Sequence, residues 1–387
     1  MRLLTLALFV LLAPAASAQV VTSFPLDAPT SMDAISTGID GTLYAAAGFR
    51  GSAVYTLSRT GTVTAIADGL DGPIEVAQAP DGTLFATNFN AAEVSRISAT
   101  GEVEPYASTR PGPAGLLAGP DGTLYLTEYG PPTSLGGTTV AEIEPEGFAK
   151  PYASGGTLSS PVGIARSEDG TLYVANIFDG RITRVTPDGT QSLFASLPPT
   201  SPFTIGHLVW AGGRLYATYL GANQVWVFEP DGSGSVYAGS GSAGQDDGPA
   251  SEATFDQPNG ITASVTGDTL FVSELGAGPT DRIRMIVPAT TATEGPAPPA
   301  QRLQLAPGYP NPFANATTLR FTLGAPAEVT LTVFDVLGRE VDRVPVGPRP
   351  AGTHSVAWRP DGLAAGAYLL RLTAGGAYAT RTVAYRP

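Results

Sequence analysis

The phrase Asp-Gly-Thr-Leu-Tyr constrains this chain more than any other feature, because it returns. It stands at residues 40–44, 121–125 and 169–173, and at 81–85 with phenylalanine in the last place. Weaker copies at 212–216 and 267–271 complete a set of six aligned leucines: Leu43, Leu84, Leu124, Leu172, Leu215 and Leu270. Their separations are 41, 40, 48, 43 and 55 residues. A self-similar period in this range belongs to architectures in which a unit too small to bury its own apolar face stacks on copies of itself.

Each unit has the same internal grammar, and the fourth displays it. The apolar run 161–165 is followed by the Asp169-Gly170 turn and a second run at 171–175; an alternating segment at 181–185 and a closing one at 191–195 complete four short strands. Asp-Gly supplies the positive φ that a tight hairpin requires, and alternation gives each strand one buried face. Six four-stranded sheets of this size, packed face to face around an axis, make an all-β six-bladed β-propeller. The sixth unit ends one strand short at 282–286. Residues 20–24 stand where an outer strand is needed, so the two ends of the array are expected to share a blade and latch the ring.

Composition narrows the chemistry. The net charge is −13, and Lys150 is the only lysine, which argues against nucleic acid, since phosphate binding needs clustered cations. It also removes a phosphate-binding loop with its lysine; a Schiff base would have to form on Lys150. With no cysteine there is no disulfide, thiolate metal site or cysteine nucleophile. The N-terminus has an arginine at position 2, an apolar run at 3–12 and Ala16-Ser17-Ala18, the pattern of a signal peptide over residues 1–18, with Gln19 as the expected mature start. No later stretch is apolar enough to span a bilayer. Residues 288–301 are rich in Pro, Ala and Thr and read as a semi-rigid linker between the propeller (19–287) and a second domain (302–387). In that domain, 318–323, 328–334, 353–358 and 367–372 alternate as strands of a small antiparallel β-sandwich, immunoglobulin-like in its architecture.

Two resemblances follow from particular residues. The stretch 238–248, with Ala253-Thr254-Phe255 and the phrase Gln257-Pro258-Asn259-Gly260-Ile261, resembles an NHL repeat, and the looser blades resemble gluconolactonase-type (SMP-30-like) repeats over roughly residues 20–287. In the tail, Tyr309-Pro310-Asn311-Pro312-Phe313, a phrase at 331–341 containing Gly338 and Arg339, another at 352–358, and one at 363–372 containing Gly366 and Tyr368 resemble the type A sorting domain of the type IX secretion system. That resemblance implies a bacterium of the Bacteroidota group or a relative. It also implies the type IX machinery as partner, release or anchoring at the outer cell surface, and attachment to surface lipopolysaccharide after processing. An ordinary sandwich that extends the protein is the alternative.

Candidate site residues fall into two sets. Four residues past each aligned leucine stand Ala47, Asn88, Glu128, Asn176, Tyr219 and Glu274. If the two amides and two carboxylates among them face one another in the channel, they suit Ca²⁺ or another divalent cation able to polarise a lactone or ester carbonyl. The competing role, and the expected one, is a hydrogen bond to a neighbouring loop. Where the innermost strands begin stand Asp33, Glu75 and Asn259; the gluconolactonase resemblance implies a metal held by a glutamate, asparagines and an aspartate, with Glu75 and Asn259 matching two of these parts. His207 aligns with Ile35, Val76, Leu116, Ile164 and Ile261 and is expected to point into a buried strand as a core histidine. No G-x-S-x-G elbow supports a serine nucleophile. The glycine-rich run 239–244 is expected to connect blades, with no helix pattern after it to make a phosphate cradle. Tyr129, Phe178, Tyr219 and Trp226 are candidates for a sugar- or peptide-binding surface. Two functions remain open: a propeller that binds a small molecule, glycan or protein at the cell surface, and a metal-dependent lactonase or esterase.

Overall fold

A computed structural model describes residues 19–30, 32–131, 136–200, 202–276, 280–288, 304–306, 308–323, 326–334, 340–360, 362–374 and 377–386. The expected signal peptide, linker residues 289–301, and Gly338 and Arg339 of the tail motif lie outside them. The chain divides into two compact units, Met1–Thr291 and Ala292–Pro387.

The repeated phrase builds a turn. In its four full copies the aspartate Oδ1 accepts the N–H of the threonine two residues on: Asp40 from Thr42, Asp81 from Thr83, Asp121 from Thr123 and Asp169 from Thr171, at 2.9 to 3.1 Å. The glycine between them takes φ of +86° to +92°, a conformation open to glycine without strain. Every copy therefore fixes the hairpin between the first and second strands of one sheet. The fourth blade then runs through Pro161–Arg166, Leu172–Asn176, Arg181–Val185 and Gln191–Ser196, in that order from inside to outside.

Six such sheets form the first unit, and a buried apolar cluster lies at each of the six interfaces between neighbouring blades, so the ring closes. Closure uses the N-terminal strand. Gln19–Thr30 pairs antiparallel with Thr280–Pro288, from Gln19 opposite Pro288 to Pro25 opposite Arg282, and becomes the fourth strand of blade 6. Val21 and Phe24 are buried there, Val21 completely. Gly248–Pro249, from the glycine-rich excursion before blade 6, adds a short fifth strand outside it. The same excursion holds Arg284, fully buried and stacked 4.8 Å over the Phe255 ring.

The second unit is a β-sandwich. One sheet has Gln304–Leu305, Thr317–Leu323 and Gly352–Trp358; the other has Glu340–Arg349, Ala327–Phe334, Gly366–Ala374 and Ala377–Tyr385. Alternation sends Leu319, Phe321, Leu331, Val333, Leu370 and Leu372 inward around a fully buried Trp358. The strands at 340–349 and 377–385 were not expected from sequence: prolines and charges break the alternation of the first, and alanines and threonines leave the second with few large apolar positions.

Candidate functional site

The register of the innermost strands decides what faces the channel. Ile35, Val76, Leu116, Ile164, Leu208 and Ile261 each stand opposite the residue two past the aligned leucine. Counting back, Ala34, Glu75, Gly115, Gly163, His207 and Gly260 form one tier, and Asp33, Ile74, Ala114, Val162, Gly206 and Asn259 form the tier before it. His207 is thus equivalent to Glu75, one residue away from the apolar position expected for it. The reason is a shorter hairpin: Trp210 stands opposite the aligned Leu215, five residues before it, where Gln78, Ala118 and Arg166 stand six residues before theirs, so counting back from the leucine overshoots by one. In blades 2 to 6 the pairing also shifts just at these two tiers, so two inner residues oppose one on the second strand.

That shift leaves inner-strand N–H groups without a ladder partner, and hydroxyls take them up. Thr87, Thr127, Thr218 and Ser273 accept from the N–H of Glu75, Gly115, His207 and Gly260. The same hydroxyls donate to the carbonyls of Ala114, Val162, Asn259 and Asp33 in the next blade, at 2.6 to 3.1 Å. They stitch four of the six blade junctions and hold the inner tiers rigid.

With four of six places in its tier occupied by glycine or alanine, His207 reaches across from blade 5 to blade 2. Its Nδ1 lies 2.9 Å from Glu75 Oε2, and its Nε2 lies 3.5 Å from Asp33 Oδ1 in blade 1. Asp33 is tied in turn to blade 6, where Asn259 Nδ2 donates to its Oδ1 at 2.8 Å and to its carbonyl at 3.2 Å. Four blades therefore meet in one buried polar cluster. Burial pushes His207 down, but the Glu75 charge, with Asp33 adding to it, overcomes this and pushes it up to about 10. Burial raises Glu75, against the opposing pull of His207. The two carboxylates thus favour the imidazolium form of His207. As an imidazolium it offsets one of the two carboxylate charges on which the expected cation would depend, and among the described residues no three His, Asp or Glu are arranged to hold a metal ion. With both ring nitrogens of His207 turned to carboxylates, none is left for a metal, and this donor set does not fit a resident divalent cation.

Asn88, Glu128, Asn176 and Glu274 do not join the cluster. Each accepts the N–H of the loop entering its own blade, from Asp71, Arg110, Ser159 and Asp256, at 2.8 to 3.1 Å. Glu274 also pairs with Arg284 at 3.2 Å. Burial raises both Glu128 and Glu274.

Above the polar cluster, at the end of the channel where the inner strands begin, the loops contribute a line of rings. Phe49 of blade 1, Phe89 of blade 2, Tyr129 of blade 3, Phe178 of blade 4 and Phe203 before blade 5 follow one another with centroids 5.4, 5.5, 6.1 and 5.8 Å apart. Phe89 and Tyr129 pack on Ile74, Ala114 and Val162 of the first tier. This end of the channel is apolar across blades 2 to 4 and polar at Asp33 and Asn259. Tyr129 and Phe178 were foreseen; Phe49, Phe89 and Phe203 were not. Tyr219 is buried with its hydroxyl on Pro198, and Trp226 packs against Tyr219 and Phe228 inside blade 5.

In the tail, Tyr309 is 81% exposed, with Pro310, Asn311 and Pro312 exposed beside it, while Phe313 is buried against Trp358 and Tyr385. Asn311 accepts from Ala384 N–H at 2.8 Å, Tyr368 donates to the Ala364 carbonyl, and Gly366 opens a strand with an exposed face.

Residues 11–245 match the virginiamycin B lyase family, about three-fifths of the chain, and residues 313–377 match the FlgD Ig-like domain. No curated protein matches the sequence. Among solved structures, a virginiamycin B lyase from Staphylococcus aureus is 17% identical and superposes with a TM-score of 0.50, covering 70% of this chain and 99% of that one. A gluconolactonase from Xanthomonas campestris is 19% identical (TM-score 0.52; 71% and 99% covered), and an auxiliary nutrient binding protein from Bacteroides thetaiotaomicron is 14% identical (TM-score 0.56; 69% and 76%). At these identities the likeness is one of fold.

Proposed function

This chain belongs to the virginiamycin B lyase family, and we propose that it is an exported propeller which binds a ligand at the aromatic end of its channel. The observation that carries this reading is the line of five rings at the channel mouth, above a polar cluster whose histidine is buried. Elimination or hydrolysis needs a group free to take a proton from the substrate or from water. The propeller's single histidine is 2% exposed, paired with carboxylates, and holds its own proton to about pH 10. The rings, by contrast, offer contact area at low entropic cost.

The experiment is to melt the protein with and without Ca²⁺, Mn²⁺ or Zn²⁺ and to assay lactones, aryl esters and a cyclic depsipeptide. The binding reading expects no turnover under any of these conditions. A metal-dependent rise in melting temperature together with turnover that Glu75→Gln abolishes would replace it with a metal-dependent hydrolase or lyase.

The sorting half of the proposal rests on the tail motifs and the expected signal peptide. The exposed Tyr309 offers a contact for the type IX machinery, followed by release or lipopolysaccharide attachment at the outer surface. In a bacterium possessing that system, the whole chain should reach the medium or outer surface, and a chain lacking residues 302–387 should remain in the periplasm. Equal export of both refutes it.

A further inference from the structure

The polar end of the mouth is built almost wholly of acceptors. Asn259 spends its amide hydrogens on Asp33, which leaves its Oδ1 as an acceptor; that oxygen packs closely on Gly206, where a Cβ would stand 2.7 Å from it and equally near Leu220 and Thr218. Asp33 gives Oδ1 to Asn259 and His207. Its Oδ2 makes no hydrogen bond among the described residues and lies 3.6 Å from where a Cβ on Gly48 would be, beside Phe49, the first ring of the line. The Asp33 side chain is 22% exposed, whereas those of Glu75 and His207 are 11% and 3%. Two carboxylates facing one imidazolium leave a negative charge over, and the reachable share of it is on Asp33. Of the nearby cations, Arg110 is turned toward Glu128 at 3.8 Å, and Arg50, next after Phe49, is exposed to solvent.

We infer that the mouth selects a small amphipathic cation, with an ammonium head received by Asp33 Oδ2 and Asn259 Oδ1 and an aromatic or branched aliphatic body laid against Phe89 and Tyr129. An ammonium carries three donors and no acceptor, the complement of what these oxygens present. A charge-assisted hydrogen bond there is roughly twice as strong as a neutral one. Phe49, exposed and next in sequence to the glycine beside Asp33 Oδ2, can add the attraction of a ring face for a cation. A carboxylate in the same place meets like charge and no free donor. This inference rests on the ligand-binding reading above and gives that ligand its chemical class.

The test is calorimetric titration of the protein with three probes of one shape: 2-phenylethylammonium, 2-phenylethanol and 3-phenylpropionate. At an ionic strength of about 20 mM, where surface charge is little screened, the ammonium should bind about tenfold more tightly than the alcohol. The carboxylate should bind weakest. Added salt should erode the ammonium's advantage and leave the alcohol unchanged. Asp33→Asn should remove the preference and spare the alcohol, while Phe89→Ala should weaken all three. Should Asp33→Asn fail to fold, the ranking of probes and its salt dependence on the unaltered protein decide the matter. Equal binding of the three, all sensitive to Phe89→Ala, overturns the cation and leaves the binding site standing; no Phe89-sensitive binding by any probe overturns both.

Discussion

Replacing Glu75 by glutamine should change the state of a proton on the far side of the ring. His207 rises from 6.5 to about 10 in the fold, which corresponds to about 5 kcal/mol of preference for the imidazolium. Burial disfavours the charged ring, and Glu75 is the strongest of the influences that overcome it. Glutamine keeps the shape and removes the charge, leaving Asp33 at 3.5 Å as the remaining counter-charge. His207 should then lose its proton at a lower pH than in the unaltered protein. Removing one partner of a buried pair costs about 3–5 kcal/mol, so Glu75→Gln should also lower the propeller's unfolding free energy by a few kcal/mol at pH 7. The pH dependence has a definite sign. A histidine whose folded pKa lies above its unfolded one stabilises fully below pH 6.5 and loses that stabilisation as the pH climbs through about 10. The stability of the unaltered protein should therefore fall between pH 7 and 10, and this slope should shrink in the variant. Imidazole ¹⁵N spectra report the proton directly, because the chain has two histidines and the signal lost in His207→Asn identifies the relevant one. A wild-type His207 signal titrating near 6.5, or a midpoint unmoved by Glu75→Gln, refutes the reasoning.

Three further perturbations read the scaffold. Thr127→Val leaves the buried Val162 carbonyl and Gly115 N–H without their hydroxyl and should cost about 1–3 kcal/mol in urea unfolding; no loss would remove the stitch between blades 3 and 4 from the account. Asn176→Ala breaks bonds to Ser159 and Thr157 inside blade 4, and should destabilise by about 1–3 kcal/mol without altering the affinity for 2-phenylethylammonium. A change in that affinity would return Asn176 to the site. Deleting residues 19–26 removes the buried Val21, Phe24 and Leu26 and should cost about 5 kcal/mol or more. It also uncovers Thr280–Pro288 as an open edge, so aggregation should appear in light scattering; a soluble variant with an unchanged melting temperature would sink the latch.

What the sequence made legible follows from what each blade needs. Leu43 and its five counterparts, the Asp-Gly turns and the missing outer strand of blade 6 are demands of a sheet that must bury one face and close a ring, so they recur and can be aligned. The rings of the mouth answer to no such demand. Phe49 and Phe178 stand two residues past the strand-end position, Phe89 and Tyr129 stand one past it, and Phe203 enters from the loop before a blade. No period connects them, and only the folded loops bring them into line. The innermost strands failed for another reason. The hairpin of blade 5 is one residue shorter than those of blades 2 to 4, and an offset of one residue turns every assignment to the opposite face, which is how His207 came to be aligned with apolar neighbours.

The same logic says which polar residues to trust in a repeat. Asn88, Glu128, Asn176 and Glu274 occupy one position in four blades, and the structure gives all four one task, holding the loop that enters the blade. Recurrence was the sign of that role, because a residue needed by every blade serves the blade. Glu75 and His207 are the reverse case. Their tier is otherwise Ala34, Gly115, Gly163 and Gly260, and a Cβ on Gly115 would stand 2.2 Å from the Val162 carbonyl, so the fold favours small residues there. Two large ionisable side chains in a tier built for glycine are what the scaffold alone does not ask for. In a ring of near-identical units the place to look for function is the position where the repeat is broken, and here the break holds a proton between blades that face each other across the axis.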